Sequence, residues 1–359
     1  MSKKLFTGLK IKNKEIKNRI FVPPMITPFA PQDSGYVVEK TVDSYRRMAQ
    51  GQNGLIIVEA TCVNFHGRLG RRQLGLWEDE QIAGHKQIVE AVQQEGSVVF
   101  VQIHHAGVVG IADDALCPSE YTHVKADGSE KIGRPMTAED IKNVQDAFVS
   151  ASLRAYQAGY DGIELHGCHN YLICQFLNKK VNQRQDQYGL KRTLFVEEII
   201  ARIREKVDDD FIIGIRLGGF EPTLEDAATN AVQLEKAGID FFDISYGFRR
   251  EQEVEMPENY PFWDIIYAAE YIKTKVNVPV FAANFIMDPD TAEAILTKAK
   301  VDMVGVARGV MVNYDWAKEA QAGLDVGRCL RCAVCMLYSD PEKCPGRILH
   351  KRNREKALT

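Results

Sequence analysis

The sequence predicts an α/β protein: one (β/α)8 TIM barrel, a single domain with a short cysteine-rich C-terminal extension. Three observations predict it. Eight short apolar runs recur between residues 19 and 307, each continuous rather than alternating, which marks strands buried on both faces of a parallel sheet. Longer amphipathic stretches separate them with no second domain inserted, the alternation of a β/α fold. The 359 residues accommodate a barrel of about 250 residues with elaborated loops as one unit. A doubly wound sheet is the alternative, but it rarely needs so many even repeats.

In order, the strands are assigned to "RIFVPP" (19–24), "LIIVEA" (55–60), "VVFVQIH" (98–104), "GIELH" (162–166), "FIIGIRL" (211–217), "FFDISY" (241–246), "VPVFAAN" (278–284) and "VDMVGVA" (301–307). Helical spacing fills the gaps, as in "DEQIAGHKQIVEAVQQEG" and "TAEDIKNVQDAFVSASLRAYQAGY". Thr137, followed three residues later by Asp140, gives the second a capping-box-like start, with the shorter Asp in place of Glu or Gln. The glycines of "QEG", "QAG" and "KAG" stand just before strands, where Gly ends a helix in the left-handed conformation. Residues 106–136 read as a long loop placed to cover the site. The boundaries follow: 1–320 for the barrel and 321–359 for the extension packed on it.

Composition narrows the function. Hydrophobic residues make up 45%, enough for a sizeable core, and the formal charge of −4 argues against non-specific nucleic-acid binding. No run of about 18 apolar residues occurs, so no membrane span is expected. The N-terminal lysines lack the apolar region of a signal peptide. Of the eight cysteines, four are scattered (62, 117, 168 and 174) and four cluster near the C-terminus; reduced thiols and a cytoplasmic protein are expected.

Barrels of this class do chemistry at the C-terminal ends of strands and in the loops that follow. Those positions hold Pro24, Met25, Ile26 and Thr27; Glu59 and Ala60; Gln102, His104 and His105; His166 through Tyr171; then Arg216, Ser245, Tyr246, Asn284, Ala307, Arg308 and Gly309. "IELHGCHNYL" (163–172) is the densest part. It suits a metal site with His166, His169 and Cys168, a cysteine nucleophile with its base, or two histidine donors aimed at a substrate oxygen. After strands seven and eight, "VFAANF" and "VGVARGV" place small residues and Arg308 where barrels bind phosphate, so a phosphorylated substrate or cofactor is expected. Farther on, "RCLRCAVCMLYSDPEKCPGR" sets Cys329, Cys332, Cys335 and Cys344 in a C-x2-C-x2-C-x8-C pattern. Four thiolates so spaced suit a [4Fe–4S] cluster or a structural zinc, and an empty or oxidised motif is the third option.

"NRIFVPPM", "GLIIVEATCVNFHGR", "LGLWEDEQI", "VQIHHAG", "HGCHNYLICQFLNKKVNQRQDQYG" and "VGVARGV" together resemble the Old Yellow Enzyme family of FMN-dependent oxidoreductases, over about residues 3 to 320. The segment from His166 to Gly189 is the most specific, close to the family pattern HxxHGYLxxxFLSPxxNxRxDxYGG. The resemblance implies that Gln102 hydrogen-bonds the pyrimidine edge of FMN and that Arg216 sits near N1 and O2, stabilising the reduced ring. It implies that Pro24, Met25 and Ala60 line the flavin with their backbone and that Ile26 follows at the flavin O4. Asn284 and Ala307 then belong to the phosphate-binding segments, and Arg308 takes the phosphate. His166 and His169 would donate to the carbonyl of an α,β-unsaturated substrate, and Tyr171 would protonate its α-carbon. NADH or NADPH would be the reductant, in a ping-pong cycle.

The chain departs from the family at several points. Ile26 stands for a Thr or Cys, Pro28 for a Tyr of one subclass, Asn170 for a Gly, Asn178 for a Ser and Val108 for an Arg. Ile26 donates nothing, so a lower flavin potential is expected unless Thr27 or a backbone group compensates. The cysteine spacing is similar to that of the branch including 2,4-dienoyl-CoA reductase and trimethylamine dehydrogenase. There a further flavin- and nicotinamide-binding portion follows; this sequence ends at Thr359, so that portion is not expected and a cluster would need an external electron partner.

The expected function is FMN-dependent reduction of an activated C=C bond in a small electrophilic alkene by NAD(P)H. The alternative is an iron–sulfur flavoprotein exchanging electrons with a partner. A homo-oligomer is left open. A non-redox phosphate-binding barrel predicts a colourless protein, and no lysine lies on the rim at strands five to seven to form a Schiff base. A dihydrouridine-synthase-like RNA enzyme is disfavoured by the acidic balance.

Overall fold

The structure, a computed structural model, describes residues 3–248, 254–336 and 341–358. Its centre is a closed barrel of β1 (Ile20–Val22), β2 (Leu55–Cys62), β3 (Val98–His104), β4 (Gly162–Gly167), β5 (Ile212–Gly218), β6 (Phe241–Ser245), β7 (Val280–Ala282) and β8 (Met303–Gly305). Each strand pairs in parallel with its sequence neighbours, and β8 closes onto β1. Every residue of these strands is buried, which is why their sequences are continuously apolar. All of the expected strands are present. The first is shorter than its apolar run because Pro23 and Pro24 have no N–H to give a ladder.

Inside the barrel, the N-terminal half is filled by rings. Phe100 and Phe241 stack at 5.3 Å, Phe241 and Phe281 at 4.7 Å, and Phe21 meets Phe281 at 5.3 Å. An antiparallel hairpin, Leu9–Ile11 with Lys14–Ile16, adds Ile11 and Ile16 to this cluster and closes the barrel bottom. That plugged end leaves the C-terminal rim as the place for chemistry. Outside, the amphipathic helices bury their apolar faces against the strands in one large core.

The local signals act as their chemistry dictates. Thr137 and Asp140 form both arms of a capping box before the helix Ala138–Ala158, worth about 1 kcal/mol. The three helix-ending glycines, Gly96, Gly159 and Gly238, have φ of 73°, 90° and 105°. Residues 106–136 differ from expectation: they fold into a small sheet in which Glu130–Pro135 pairs with Tyr121–Val124 and Leu116–Cys117. An Asp127–Gly128 turn makes the hairpin, with Gly128 at φ 82° and Asp127 accepting from Ser129.

Beyond the last barrel helix, the chain returns over Trp316–Gln321 and ends in the helix Pro345–Leu358. Arg347 donates to the Met311 carbonyl (2.6 Å), and Asn313 donates to that of Val326 (3.0 Å). No helix of the described residues is long and apolar enough to cross a membrane.

Candidate active site

The stretch "IELHGCHNYL" sits where β4 ends. His166 is in the last turn of that strand, 3% exposed, and the chain then bends sharply through His169 (φ 54°) and Asn170 (φ 63°). Two consecutive left-handed residues explain Asn170: Gly is the easy choice there, and Asn is among the few side chains that tolerate the conformation. The bend starts the short helix Leu172–Leu177 at once, with Tyr171 as its first flanking residue.

The turn gathers three rings. His166 lies 5.0 Å from His169 and 4.6 Å from Tyr171, centroid to centroid, and His104 is 5.2 Å from Tyr171. His169 is held by a 2.8 Å hydrogen bond between Nε2 and Ser245 Oγ at the end of β6. Burial drives both histidines toward the neutral form, His169 down to about 3. Burial also pushes the Tyr171 phenol up to about 12, against a smaller opposing pull from Arg216. At neutral pH the set is therefore two uncharged imidazoles and one intact phenol.

Cys168 is fully buried, its thiol pushed well up by burial and placed 3.7 Å from His166 Nδ1. With His166 and His169 it makes a trio of potential ligands within 4.8 Å of one another. A protonated thiol and a His169 nitrogen already bonded to Ser245 suit packing better than a metal.

Beside the turn lies a cleft of about 270 Å³. It brings together Pro24, Met25, His169, Arg216, Asn284, Ala307 and Arg308, all read from the sequence, and adds Phe285, Ile286 and Met287. The Arg308 guanidinium stacks on the Phe285 ring at 4.8 Å, and Asn284 donates to the Tyr246 hydroxyl at 3.1 Å. Ile26, Ala60, Gln102, His166 and Tyr171 are not on the cleft's lining. Ala60 is buried, and its carbonyl accepts from Gln73, whose amide also meets His104.

The floor and wall are ionic. Gln102 donates to Glu164 at 2.7 Å, and Arg216 lies 3.0 Å from Asp243; Glu164 and Asp243 are completely buried. Glu164 and Asp243 stand inside apolar runs, "GIELH" and "FFDIS", and a carboxylate in such a strand is the signal that reading strand ends overlooks. On the wall, Glu59 accepts from the Thr27 backbone (2.7 Å) and hydroxyl (2.6 Å), and Tyr45 donates at 3.3 Å. Burial raises Glu59 to about 7 despite these donors.

These residues fit a flavin mononucleotide. Buried polar atoms without hydrogen-bond partners, Arg216 Nε, Glu164 Oε2 and His104 Nδ1 among them, lie on β3 to β5, and the cleft is lined by Arg216 and Arg308 together with apolar residues such as Met25, Phe285 and Ile286. The cysteines do not fit a cluster in the same way. Cys329 is half-buried, Cys332 and Cys335 are exposed and Cys344 is buried. Among the described residues, the His166–Cys168–His169 group alone brings three ligands within 4.8 Å, so the four thiols are not gathered.

Comparison with known proteins agrees with this geometry. Residues 4–326 match the NADH:flavin oxidoreductase / NADH oxidase family. An NADH oxidase of Thermoanaerobacter brockii is 36% identical over 345 residues, 92% of this chain and 53% of that protein. An NADPH dehydrogenase of Geobacillus sp. (strain WCH70) is 34% identical over 325 residues, 88% of this chain and 93% of its own. A solved 2-naphthoyl-CoA reductase, in complex with 2-naphthoyl-CoA, superposes with a TM-score of 0.85 at 24% identity, covering 96% of this chain and 56% of that one. The chain thus spans about half the length of some relatives and nearly all of others. It belongs to the NADH:flavin oxidoreductase / NADH oxidase family, the FMN-dependent Old Yellow Enzyme oxidoreductases that draw electrons from NAD(P)H.

Proposed function

We propose that the protein reduces an activated C=C bond of a small electrophilic alkene, such as an enone, at the expense of NAD(P)H. The observation that carries this reading is the packing of His166, His169 and Tyr171 within 4.6 to 6.1 Å of one another beside the cleft. Neutral imidazoles are hydrogen-bond donors without the desolvation cost of a charge, and fixed donors stabilise oxyanion character that develops on a substrate carbonyl. Bound FMN, held by the residues assigned below, would supply hydride chemistry to the polarised β-carbon, with NAD(P)H as the source of electrons. Tyr171, still a phenol at neutral pH, gives its proton to the α-carbon as general acid.

For the cofactor, Gln102 and Arg216 are assigned to the pyrimidine edge, and the backbone of Pro24, Met25, Ile26 and Ala60 to one side of the ring. Asn284, Ala307 and Arg308 are assigned to the phosphate. Nothing in this assignment passes electrons through Cys329, Cys332, Cys335 or Cys344. A cytoplasmic location, a small-molecule substrate and no nucleic-acid partner complete the reading, supported by eight free cysteines and a formal charge of −4.

An absorbance spectrum with iron and zinc analysis tests flavin and cluster together. A yellow protein that releases FMN on denaturation, and oxidises NAD(P)H anaerobically when 2-cyclohexenone is added, is expected. A colourless preparation that FMN does not reconstitute overturns the reading. Absorbance beyond flavin that bleaches on reduction, with no enone turnover, favours the electron-transfer alternative.

A further inference from the structure

We propose that Glu164 is a neutral carboxylic acid in the folded protein, its proton shared with Asp243, and that in this form it positions the Gln102 amide. The proposal rests on the flavin reading above only for what Gln102 then faces; the proton itself is argued from the barrel alone.

Register puts these groups in one layer. Gln102 on β3 is the partner of Glu164 on β4, and Arg216 on β5 is the partner of Asp243 on β6. Arg216 is 8% exposed, and both carboxyl groups are sealed at 0%. The charged neighbours of Glu164 are Asp243 and Arg216, and Gln102 is its neutral donor. With both acids ionised, one guanidinium would face two carboxylates that are buried from solvent. An uncompensated buried charge costs several kcal/mol, and such a group takes up a proton instead. Two like charges sharing one site resolve the conflict in the same way.

Geometry says which acid keeps the proton. Arg216 Nε lies 3.0 Å from Asp243 Oδ2, so Asp243 has the cation. That contact is an ion pair by distance but not an aligned hydrogen bond, since Arg216 Nε and both Asp243 oxygens lack hydrogen-bond partners. Glu164 has only the Gln102 amide on Oε1, at 2.7 Å, and its Oε2 has no donor. A hydrogen on Oε2 turns an orphaned acceptor into a donor beside an Asp243 carboxylate that has none. Burial and Asp243 both raise Glu164 well above the usual carboxylate range; burial raises Asp243 too, but only to about 6, because the Arg216 charge pulls the other way.

The consequence for Gln102 is orientation. Its NH2 is committed to the Glu164 carbonyl oxygen, so its own oxygen is the atom left for a ligand N–H. Arg216, Asp243 and neutral Glu164 sum to zero charge, and the floor does not repel a ring that gains negative charge on reduction. Glu164 is thus a positioning residue, acting through Gln102.

The test is infrared difference spectroscopy at pH 9, about two units above the values near 7 that burial gives Glu59 and Glu221, so those acids are ionised. The wild-type protein, with or without FMN, is expected to show the carbonyl stretch of one protonated carboxyl group that Glu164→Gln lacks. Asp243→Asn is expected to lose the same band, because Glu164 then ionises to balance Arg216. A wild-type spectrum with no such band, or a band that survives in Glu164→Gln, overturns the proposal. FMN content is read in the same samples. A protein that never holds FMN but shows the band defeats the flavin reading and leaves the proton intact; normal FMN content without the band does the reverse.

Discussion

Replacing Tyr171 by Phe separates chemistry from structure because the phenol does so little structurally. Its hydroxyl has no hydrogen-bond partner among the described residues and is absent from the buried orphaned atoms, so removing it strands no donor or acceptor. The ring contacts with His166 and His104, at 4.6 and 5.2 Å, survive the substitution. A stability change below about 1 kcal/mol is therefore expected, the scale of one net hydrogen bond. A general acid contributes about 10²–10⁴-fold, which is about 3–5 kcal/mol of barrier. The rate effect should exceed the stability effect several-fold. Anaerobic stopped-flow resolves the two half-reactions: bleaching of the flavin by NAD(P)H, then its return on mixing with 2-cyclohexenone. Tyr171→Phe is expected to leave the first unchanged and slow the second by that factor. Equal losses in both steps would remove Tyr171 from its role, and an unchanged second step would assign the proton to water.

Four further outcomes follow from the same geometry. Arg308→Ala should weaken FMN binding about 10- to 150-fold, the 1.5–3 kcal/mol of a charge-assisted hydrogen bond, read by titrating the FMN-free protein and following flavin fluorescence. Thr27→Val leaves the buried Glu59 short of one donor and should cost about 1–3 kcal/mol in thermal unfolding. Glu59 titrates near 7 when folded against an ordinary value of 4.5, so the stability it withholds grows as pH rises from 4.5 to 7; the penalty of Thr27→Val should be larger at pH 8 than at pH 5. The enone half-reaction should be flat between pH 5 and pH 10 as far as His169 and Tyr171 govern it, because they titrate at about 3 and about 12; a His-like limb near pH 6.5 would refute the neutral-donor assignment. Ile26→Thr should raise the flavin midpoint potential by about 30–65 mV, one charge-assisted hydrogen bond spread over two electrons, measured by dye-coupled titration.

The barrel was legible because its strands are buried on both faces, so hydrophobic runs mark them without ambiguity. The rim was legible too, since a strand end is a fixed place in this fold: Arg216, His169, Asn284 and Arg308 come from four separate strand ends into one cleft. Two things were hidden. The sheet within 106–136 depends on an Asp-Gly turn in a polar segment, where a periodicity search finds nothing to count. The floor depends on which side of β4 and β6 points inward, and a lone Glu or Asp in a short apolar strand does not announce a partner on a strand far away in sequence. Asn170, unusual as a letter, became ordinary once its positive φ was known.

The two hidden acids and the visible Glu59 together explain how a cleft with few direct polar contacts keeps its shape. Thr27 cannot stand in for the donor that Ile26 lacks, because both its N–H and its hydroxyl are spent on Glu59. That bond ties the segment after β1 to the interior of β2, so the wall formed by Pro23, Pro24 and Met25 is set by a carboxylate behind it. The floor works alike: Glu164 fixes Gln102, and Asp243 fixes Arg216. In each case a buried acid holds a polar group on a neighbouring strand or on the segment that follows it, which makes side-chain orientation a property of the barrel's register. Ile26 and Asn170 belong to none of these pairings, so substitutions there leave the groups that hold Thr27, Gln102 and Arg216 in place.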